Sequence, residues 1–262
     1  MQNIPLFSSE TVAFLKKAGR QRNPAWLEKN RDQYEAVLRQ PLVHLASSVS
    51  RHLRPLAPDY HFPLKGIGRL KRPANRIQEK SGVFKSWMAY SASRPKESRF
   101  EGNPNLFFLI NSDDPKDSVL IAGGLYMPSS KQVRLIREAI AKDPSPFEKL
   151  FKDREFAKAF DGGFSDEKTS SRMPRGFDPN HPKADWIKLQ AFFVWKPYSK
   201  KVYSSKNFAD QVAKDWKQIL RLNRLLENCI AGKIGPTVAS KKKASIIQSI
   251  EATTAAGREM DF

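Results

Sequence analysis

Residues 105–127, NLFFLINSDDPKDSVLIAGGLYM, constrain the fold more than any other part of this chain. Two short apolar runs, residues 106–110 and 119–122, flank a polar stretch at residues 111–118. Apolar runs of this length with turn residues between them are typical of a hairpin of buried strands. We therefore expect an antiparallel pair at the centre of the fold.

The residues at the end of the second run predict the structure that follows it. Gly123 and Gly124 indicate a bulge or a close approach of another backbone. Ser129 and Ser130 are suitable N-caps for a helix, which should end before Pro144.

Helical periodicity surrounds the hairpin. Apolar residues at spacings of three, four and seven predict helices that begin near Ser8 or Ser9, run from Pro24 to a kink at Pro41, and cover residues 146–160 and 208–230. Residues 87–94 and 189–195 are typical of strands. The expected fold class is α+β, a mainly antiparallel sheet packed against helices, with helical segments at both ends of the chain. Trp26, Tyr34 and Trp216 should lie in the core.

The composition changes near the C-terminus. Residues 1–232 are predicted to form a single α+β domain, and residues 233–262 a flexible basic tail with one short helix at most. The tail contains lysines at 241–243 and an apolar stripe of Ile246, Ile247 and Ile250.

Charge is the strongest global signal. The chain has 46 lysine and arginine residues against 27 acidic residues, a formal net charge of +19. Such an excess favours a nucleic acid or another polyanion as partner, through long-range attraction and counterion release. A solvated basic surface without such a partner is the alternative.

Several classes of protein are excluded. The apolar runs are too short to span a bilayer, and the first residues, MQNIPLFSSE, lack the pattern of a secretory signal. The single cysteine, Cys229, fits a reducing compartment, so we expect a cytoplasmic protein. No phosphate-binding or dinucleotide-binding glycine loop occurs, and the histidines lack ligand spacing. We therefore expect neither a cofactor nor a metal.

Residues 172–182, RMPRGFDPNHP, form the most distinctive polar loop. Its prolines and its glycine stiffen the backbone. Arg172 and Arg175 could hold an anion, with Asp178 or His181 as the acid–base group. The alternative is a structural loop, in which Asp178 caps the turn and His181 binds the backbone.

A second basic stretch precedes the hairpin. Its candidate anion-binding residues are Arg69, Arg72, Arg76 and Lys85, interleaved with Phe84, Trp87 and Tyr90. Cations next to aromatic rings suit phosphate backbones and stacked bases. An exposed strand face with aromatic residues in the core is the alternative.

Two motifs, GGLYMP at 123–128 and RGFDPNHP at 175–182, resemble those of the conserved domain-of-unknown-function family 2461. The N-terminal segment is similar as well, at Phe14, Leu15, Asn23, Trp26, Leu27, Glu28, Asn30, Tyr34, Pro41 and Leu42. The resemblance extends over residues 4–230 and implies no particular reaction, because the family is one of unknown function.

The family usually has a block similar to RxxRDxRFSKDKxPYKTH before the hairpin. Five residues of this chain match the block: Arg69, Arg72, Arg76, Phe84 and Lys85. Pro73 replaces an expected aspartate, residues 78–81 replace the SKDK pattern, and Trp87 replaces a histidine. The basic character is kept while potential reactive groups are partly lost, which favours binding over catalysis.

The leading hypothesis is thus a protein that binds an anionic ligand, with nucleic acid as one candidate. The alternative is an enzyme acting on a phosphorylated or carboxylated substrate through His181 or Asp178. A third hypothesis is an interaction protein without a small-molecule site. The first two hypotheses predict that the two basic segments meet in one concave site.

Overall fold

The structure is a computed structural model that describes residues 6–77, 82–95, 101–114, 116 and 118–233. The expected tail, from residue 234 onward, lies outside the described residues. The helices are α1 (Ser9–Gly19), α2 (Trp26–Lys29), α3 (Arg31–Tyr34), α4 (Gln40–Leu53), α5 (Ser130–Lys142), α6 (Ser145–Lys152), α7 (Arg154–Phe160), α8 (Ala184–Lys188), α9 (Lys200–Tyr203) and α10 (Phe208–Ile230). None of these described helices is long and apolar enough to cross a membrane.

The first helix begins where the sequence predicts. Ser8 is the N-cap of a capping box, in which its side chain accepts from the Thr11 backbone N–H and the Thr11 hydroxyl accepts from the Ser8 N–H at 3.2 Å. Phe14 and Leu15 lie on the buried face of α1. The apolar stripe therefore packs the N-terminal helix onto the core.

The single helix predicted between Pro24 and Pro41 is wrong in detail. The segment is divided into α2, α3 and a π-helical stretch, Glu35–Arg39, before α4 starts. Asn30 separates α2 from α3, with φ −120° and its side chain donating to the Trp26 carbonyl oxygen at 2.8 Å. The π-helical stretch continues into α4 with helical φ and ψ, so Pro41 lies inside one helical run, two residues after that stretch.

The packing prediction holds fully for one of its three aromatic residues. Trp216 is completely buried and stacks on Tyr90 at 6.0 Å between ring centroids. Trp26 and Tyr34 are only half-buried and pack against the edge of the core. Asn30 ends α2 after four residues, which is too short for a continuous buried stripe around Trp26.

The four strands form one sheet in sequence order, and their antiparallel pairing is the one that the hairpin pattern predicts. They are β1 (Trp87–Ser93), β2 (Asn105–Asn111), β3 (Val119–Leu125) and β4 (Phe192–Pro197). Phe107 pairs with Ser91 on one side and with Ala122 on the other. The α+β fold class is confirmed.

One face of the sheet packs against α10, the long helix predicted at the same bounds. Gly123 allows this close approach, because a Cβ atom there would collide with the Ile219 side chain. Gly124 has φ +110°, a conformation that other residues rarely adopt. The expectation of a close approach at this glycine pair is confirmed.

The region after α5 departs from the sequence expectation in two places. The helix predicted over residues 146–160 is broken at Asp153, which has ψ 130° and caps α7 by accepting from the Phe156 N–H at 3.1 Å. The last strand begins at Phe192 instead of residue 189, because Gln190 donates its N–H to the Lys168 carbonyl oxygen at 2.7 Å. Helix α8 precedes it and was not predicted.

Candidate functional site

The basic stretch before the hairpin lies along the outer edge of β1. Ile67 forms an isolated bridge with Tyr90, and Lys71 forms another with Phe84. The buried side chains of Ile67, Leu70 and Phe84 anchor this segment in the core. The cationic side chains between them are consequently held on the outside of the sheet edge.

Three of these cations converge. Burial lowers the pKa of Lys85 below its ordinary value, and the nearby charges of Arg72 and then Arg76 lower the pKa further. Arg72 is half-buried, and its Nε is buried without a hydrogen-bond partner among the described residues. None of the three forms an ion pair with an acidic residue of the described chain. We call Arg72, Arg76 and Lys85 the cation cluster.

An aromatic ring adjoins the cation cluster. The Lys85 Nζ lies 4.2 Å from the ring centroid of Trp87, within the range of a cation–π interaction. Trp87 pairs with Asn111 and is half-buried. The cluster therefore meets the sheet at the first residue of β1.

The other candidate arginines lie elsewhere. Arg69 is exposed on the same edge segment as the cluster. Arg172 and Arg175 are exposed in the loop that precedes α8. Residues 165–170, just before that loop, bond to residues 188–193, which lead into β4 at the other edge of the sheet. Four strands about 4.8 Å apart separate the two basic segments. The two segments are not brought together in one concave site.

Asp178 and His181 are both engaged within their own loop. The Asp178 Oδ1 accepts the Asn180 N–H at 2.9 Å, which is an Asx turn. The His181 Nδ1 accepts the Lys183 N–H at 3.0 Å, so the Nε2 must carry the hydrogen that it donates to the Ala141 carbonyl oxygen at 3.1 Å. This geometry ties the loop to the end of α5 and leaves neither ring nitrogen free.

The face of the sheet that points away from α10 forms a groove that sequence reasoning missed. Its floor has two rows of cross-strand neighbours, Ala89–Leu109–Leu120–Pro197 and Ser91–Phe107–Ala122–Trp195. A concavity of about 890 Å³ lies over this face, and none of the described elements fills it. The available signal was that β2 and β3 are apolar at successive positions, and therefore on both faces. A strand with one solvated face would alternate between apolar and polar residues.

The groove differs in charge from the rest of the chain. Its carboxylate lining residues are Glu101, Asp114 and Glu167, and no lysine or arginine is among the described residues that line it. At the rim, the Lys168 Nζ lies 3.5 Å from the ring centroid of Tyr126. We refer to this concavity as the sheet groove.

A network of ion pairs lies on the surface next to the sheet groove. Arg224 donates to Asp59 and to Glu227, the latter at 2.9 Å, and Arg94 adds contacts of 3.1 Å to Asp59 and 3.5 Å to Glu227. Tyr60 donates to Glu227 at 2.7 Å. These residues are far apart in sequence, so no local pattern could have revealed them. Every charge has an opposite partner, which indicates a structural role.

Metal binding finds no support in the described part of the chain, where no group of three histidine, cysteine or acidic residues could hold an ion. The fold and the site define an α+β protein with one helix-packed and one grooved sheet face. Its sheet edge carries cations that form no ion pair with the described residues.

The chain belongs to the family described as "Conserved hypothetical protein (DUF2461)", whose family model matches residues 10–224. The family that the sequence resemblance indicated is thereby confirmed. Searches of curated proteins and of solved structures each returned no match. The family description names no activity, so the function has to be argued from the site.

Proposed function

We propose that this protein binds a phosphate-bearing polyanion, a single-stranded nucleic acid in the first instance, through Arg72, Arg76 and Lys85. One observation supports the proposal above all others. Three cations lie close enough to lower the pKa of Lys85, and no acidic residue of the described chain pairs with them.

Such a cluster opposes folding. Burial and mutual repulsion both disfavour the charged forms. A phosphate group would supply negative charge and acceptor oxygens for the exposed Arg76 and for the other accessible nitrogen atoms of the cluster. Charge-assisted hydrogen bonds of this kind are about twice as strong as neutral ones.

A polymer fits better than a single phosphate for two reasons. Lys65, Arg69 and Lys71 are exposed on the same edge segment, where successive phosphates could contact them. The net charge of +19 would also attract a polyanion over a long range. Trp87 beside Lys85 favours a single strand, because an unpaired base can stack on an aromatic ring.

Fluorescence anisotropy with labelled single-stranded and duplex oligonucleotides at several salt concentrations tests the proposal. The logarithm of the affinity should fall linearly with the logarithm of salt concentration. Arg72→Glu with Arg76→Glu should weaken binding of unrelated single strands at least about tenfold, since phosphate contacts are independent of sequence.

The matched control is Arg172→Glu with Arg175→Glu. It changes the net charge equally at exposed arginines outside the cation cluster, and should weaken binding only about two- to threefold through the lost long-range attraction. Equal losses in both double variants would mean a diffuse attraction without a site. Absence of binding at low salt would refute the nucleic-acid proposal.

The enzymatic alternative, with Asp178 or His181 as acid–base group and Arg172 and Arg175 holding the substrate anion, remains a weaker hypothesis. The hydrogen bonds of His181 to Lys183 and Ala141 argue against it, because proton transfer would require one of them to break. A cytoplasmic location is part of the main proposal, since the only cysteine is free and buried.

A further inference from the structure

We propose that a C-terminal segment of this chain, residues 234–250, docks within the same molecule into the sheet groove. This site is separate from the cation cluster and does not depend on the function proposed for the cluster.

The lining of the groove defines the ligand that fits it. Phe107, Leu109 and Leu120 are half-buried on its floor, and Trp195 remains 36 % exposed. An apolar surface of this kind, open to water over a concavity of about 890 Å³, is a site for an apolar partner.

The carboxylates at the rim of the groove determine which apolar partners would bind there. The side chains of Glu101 and Glu167 line the groove and form no ion pair with the described residues. Carboxylates repel phosphate groups and attract cations, so the groove suits a basic apolar segment and not the polyanion assigned to the cation cluster.

The C-terminal segment has this chemistry. Residues 234–250, IGPTVASKKKASIIQSI, contain three lysines and no acidic residue. Ile246, Ile247 and Ile250 have the spacing that places apolar side chains on one face of a helix. A basic stretch directly before an apolar stripe matches a groove with carboxylates at its rim and an apolar floor.

The segment also leaves the domain at a suitable place. The described chain ends at Lys233, and the last residues of α10, Ile230 and Ala231, line a second concavity of about 600 Å³. Glu101 and Asn103 line both this concavity and the sheet groove, so the two adjoin. Residues 234–240 could extend about 23–25 Å, more than the width of about 14 Å of a sheet of four strands.

The test uses the full chain with a benzophenone amino acid at position 247, irradiated as a mixture of isotope-labelled and unlabelled protein. Cross-links located by mass spectrometry should fall on residues 105–125 or 192–197 of the same chain. The same probe at Gln248, about opposite to the apolar stripe on a helix, should give at least about fivefold fewer of these cross-links.

Substitutions in the groove test whether its residues are responsible for the cross-links. Trp195→Glu should lower the yield at least about fivefold, because a carboxylate would lie on the apolar floor. Leu56→Glu is the control, since Leu56 is 52 % exposed and is not part of the groove lining. Glu101→Lys combined with Glu167→Lys should lower the yield at least about threefold by charge repulsion, and circular dichroism checks that each variant is folded.

Three outcomes would overturn the proposal. Cross-links to other surfaces, or equal yields at positions 247 and 248, would mean that the apolar stripe does not occupy the groove. Cross-links only between labelled and unlabelled chains would identify a second copy as the occupant. An unchanged yield in folded Trp195→Glu would show that the groove floor is not the contact surface.

Discussion

The Tyr198 hydroxyl donates to the Asp215 Oδ2 at 2.6 Å, joining the end of β4 to the middle of α10. Lys196 and Gln211 donate to the same oxygen at 2.9 and 3.1 Å. Burial raises the pKa of Tyr198 far above its ordinary value, and the Asp215 charge raises the pKa further, so the hydroxyl keeps the hydrogen that it donates. This buried polar contact fixes the position of the longest helix on the sheet.

Asp215→Asn should reduce the free energy of unfolding by about 2–3 kcal/mol, because the variant leaves the Lys196 charge without its partner. The estimate is below that for a fully buried pair because the Lys196 side chain is 24 % exposed. Urea unfolding measures the change. Asp210→Asn, an exposed acid on the same helix, is the control and should change stability by less than about 0.5 kcal/mol. Equal effects would mean that the buried contact has no special role.

Trp216→Ala should cost about 3–5 kcal/mol, because the side chain is fully buried and its removal leaves a cavity beside Tyr90. Trp195→Ala removes the same side chain from a position that is 36 % exposed, and should cost less than about 1.5 kcal/mol. Differential scanning calorimetry compares the two variants. An unchanged melting temperature in Trp216→Ala would contradict the packing described above.

Gly123→Ala should destabilise the protein by about 1–3 kcal/mol or more, because the new methyl group would collide with Ile219 and with the Asn105 carbonyl oxygen. Gly163→Ala is the matched control. A Cβ atom at Gly163 meets no heavy atom within 4 Å, and its φ is not in the left-handed region, so stability should stay equal or rise slightly. Thermal unfolding of both variants measures the difference in stability. A tolerated alanine at position 123 would argue against the close approach of α10 to β3.

Lys85→Met should raise the melting temperature at neutral pH, because burial and the charges of Arg72 and Arg76 disfavour the ammonium form. The pKa of Lys85 is lower in the folded chain than in the unfolded chain. Between these two pKa values the unfolded chain binds more protons, so the contribution of Lys85 to stability increases as pH rises. The advantage of the methionine variant should therefore be greatest below the folded pKa and shrink towards pH 10.5.

The same lysine tests the link between stability and binding. Inorganic phosphate should raise the melting temperature of the wild-type chain more than that of Lys85→Met, because a ligand that binds the folded state stabilises it by mass action. Arg69→Met, an exposed cation on the same segment, serves as the control and should respond to phosphate nearly as the wild type does. If Lys85→Met were less stable than the wild type at neutral pH, repulsion by Arg72 and Arg76 would not destabilise the folded chain at Lys85.

Much of the fold followed from local sequence patterns. The hairpin at residues 105–127, the capped start of α5 and the bounds of α10 depend on short-range periodicity and on turn chemistry, which the chain shows directly. The breaks at Asn30 and Asp153 were missed, because side-chain hydrogen bonds to the backbone interrupt helices that the apolar spacing alone would continue.

The candidate site followed partly from the sequence and partly from the tertiary structure. The sequence by itself determined the family, the excess of positive charge and the basic stretch from Arg69 to Lys85. Only the tertiary structure decided that Arg72 and Arg76 lie near enough to Lys85 to lower its pKa, whereas Arg172 and Arg175 lie towards the other edge of the sheet. The order of strands sets these distances, and strand order depends on pairing between residues that are remote in sequence. The sheet groove, too, exists only once the strands have paired and α10 has covered the opposite face.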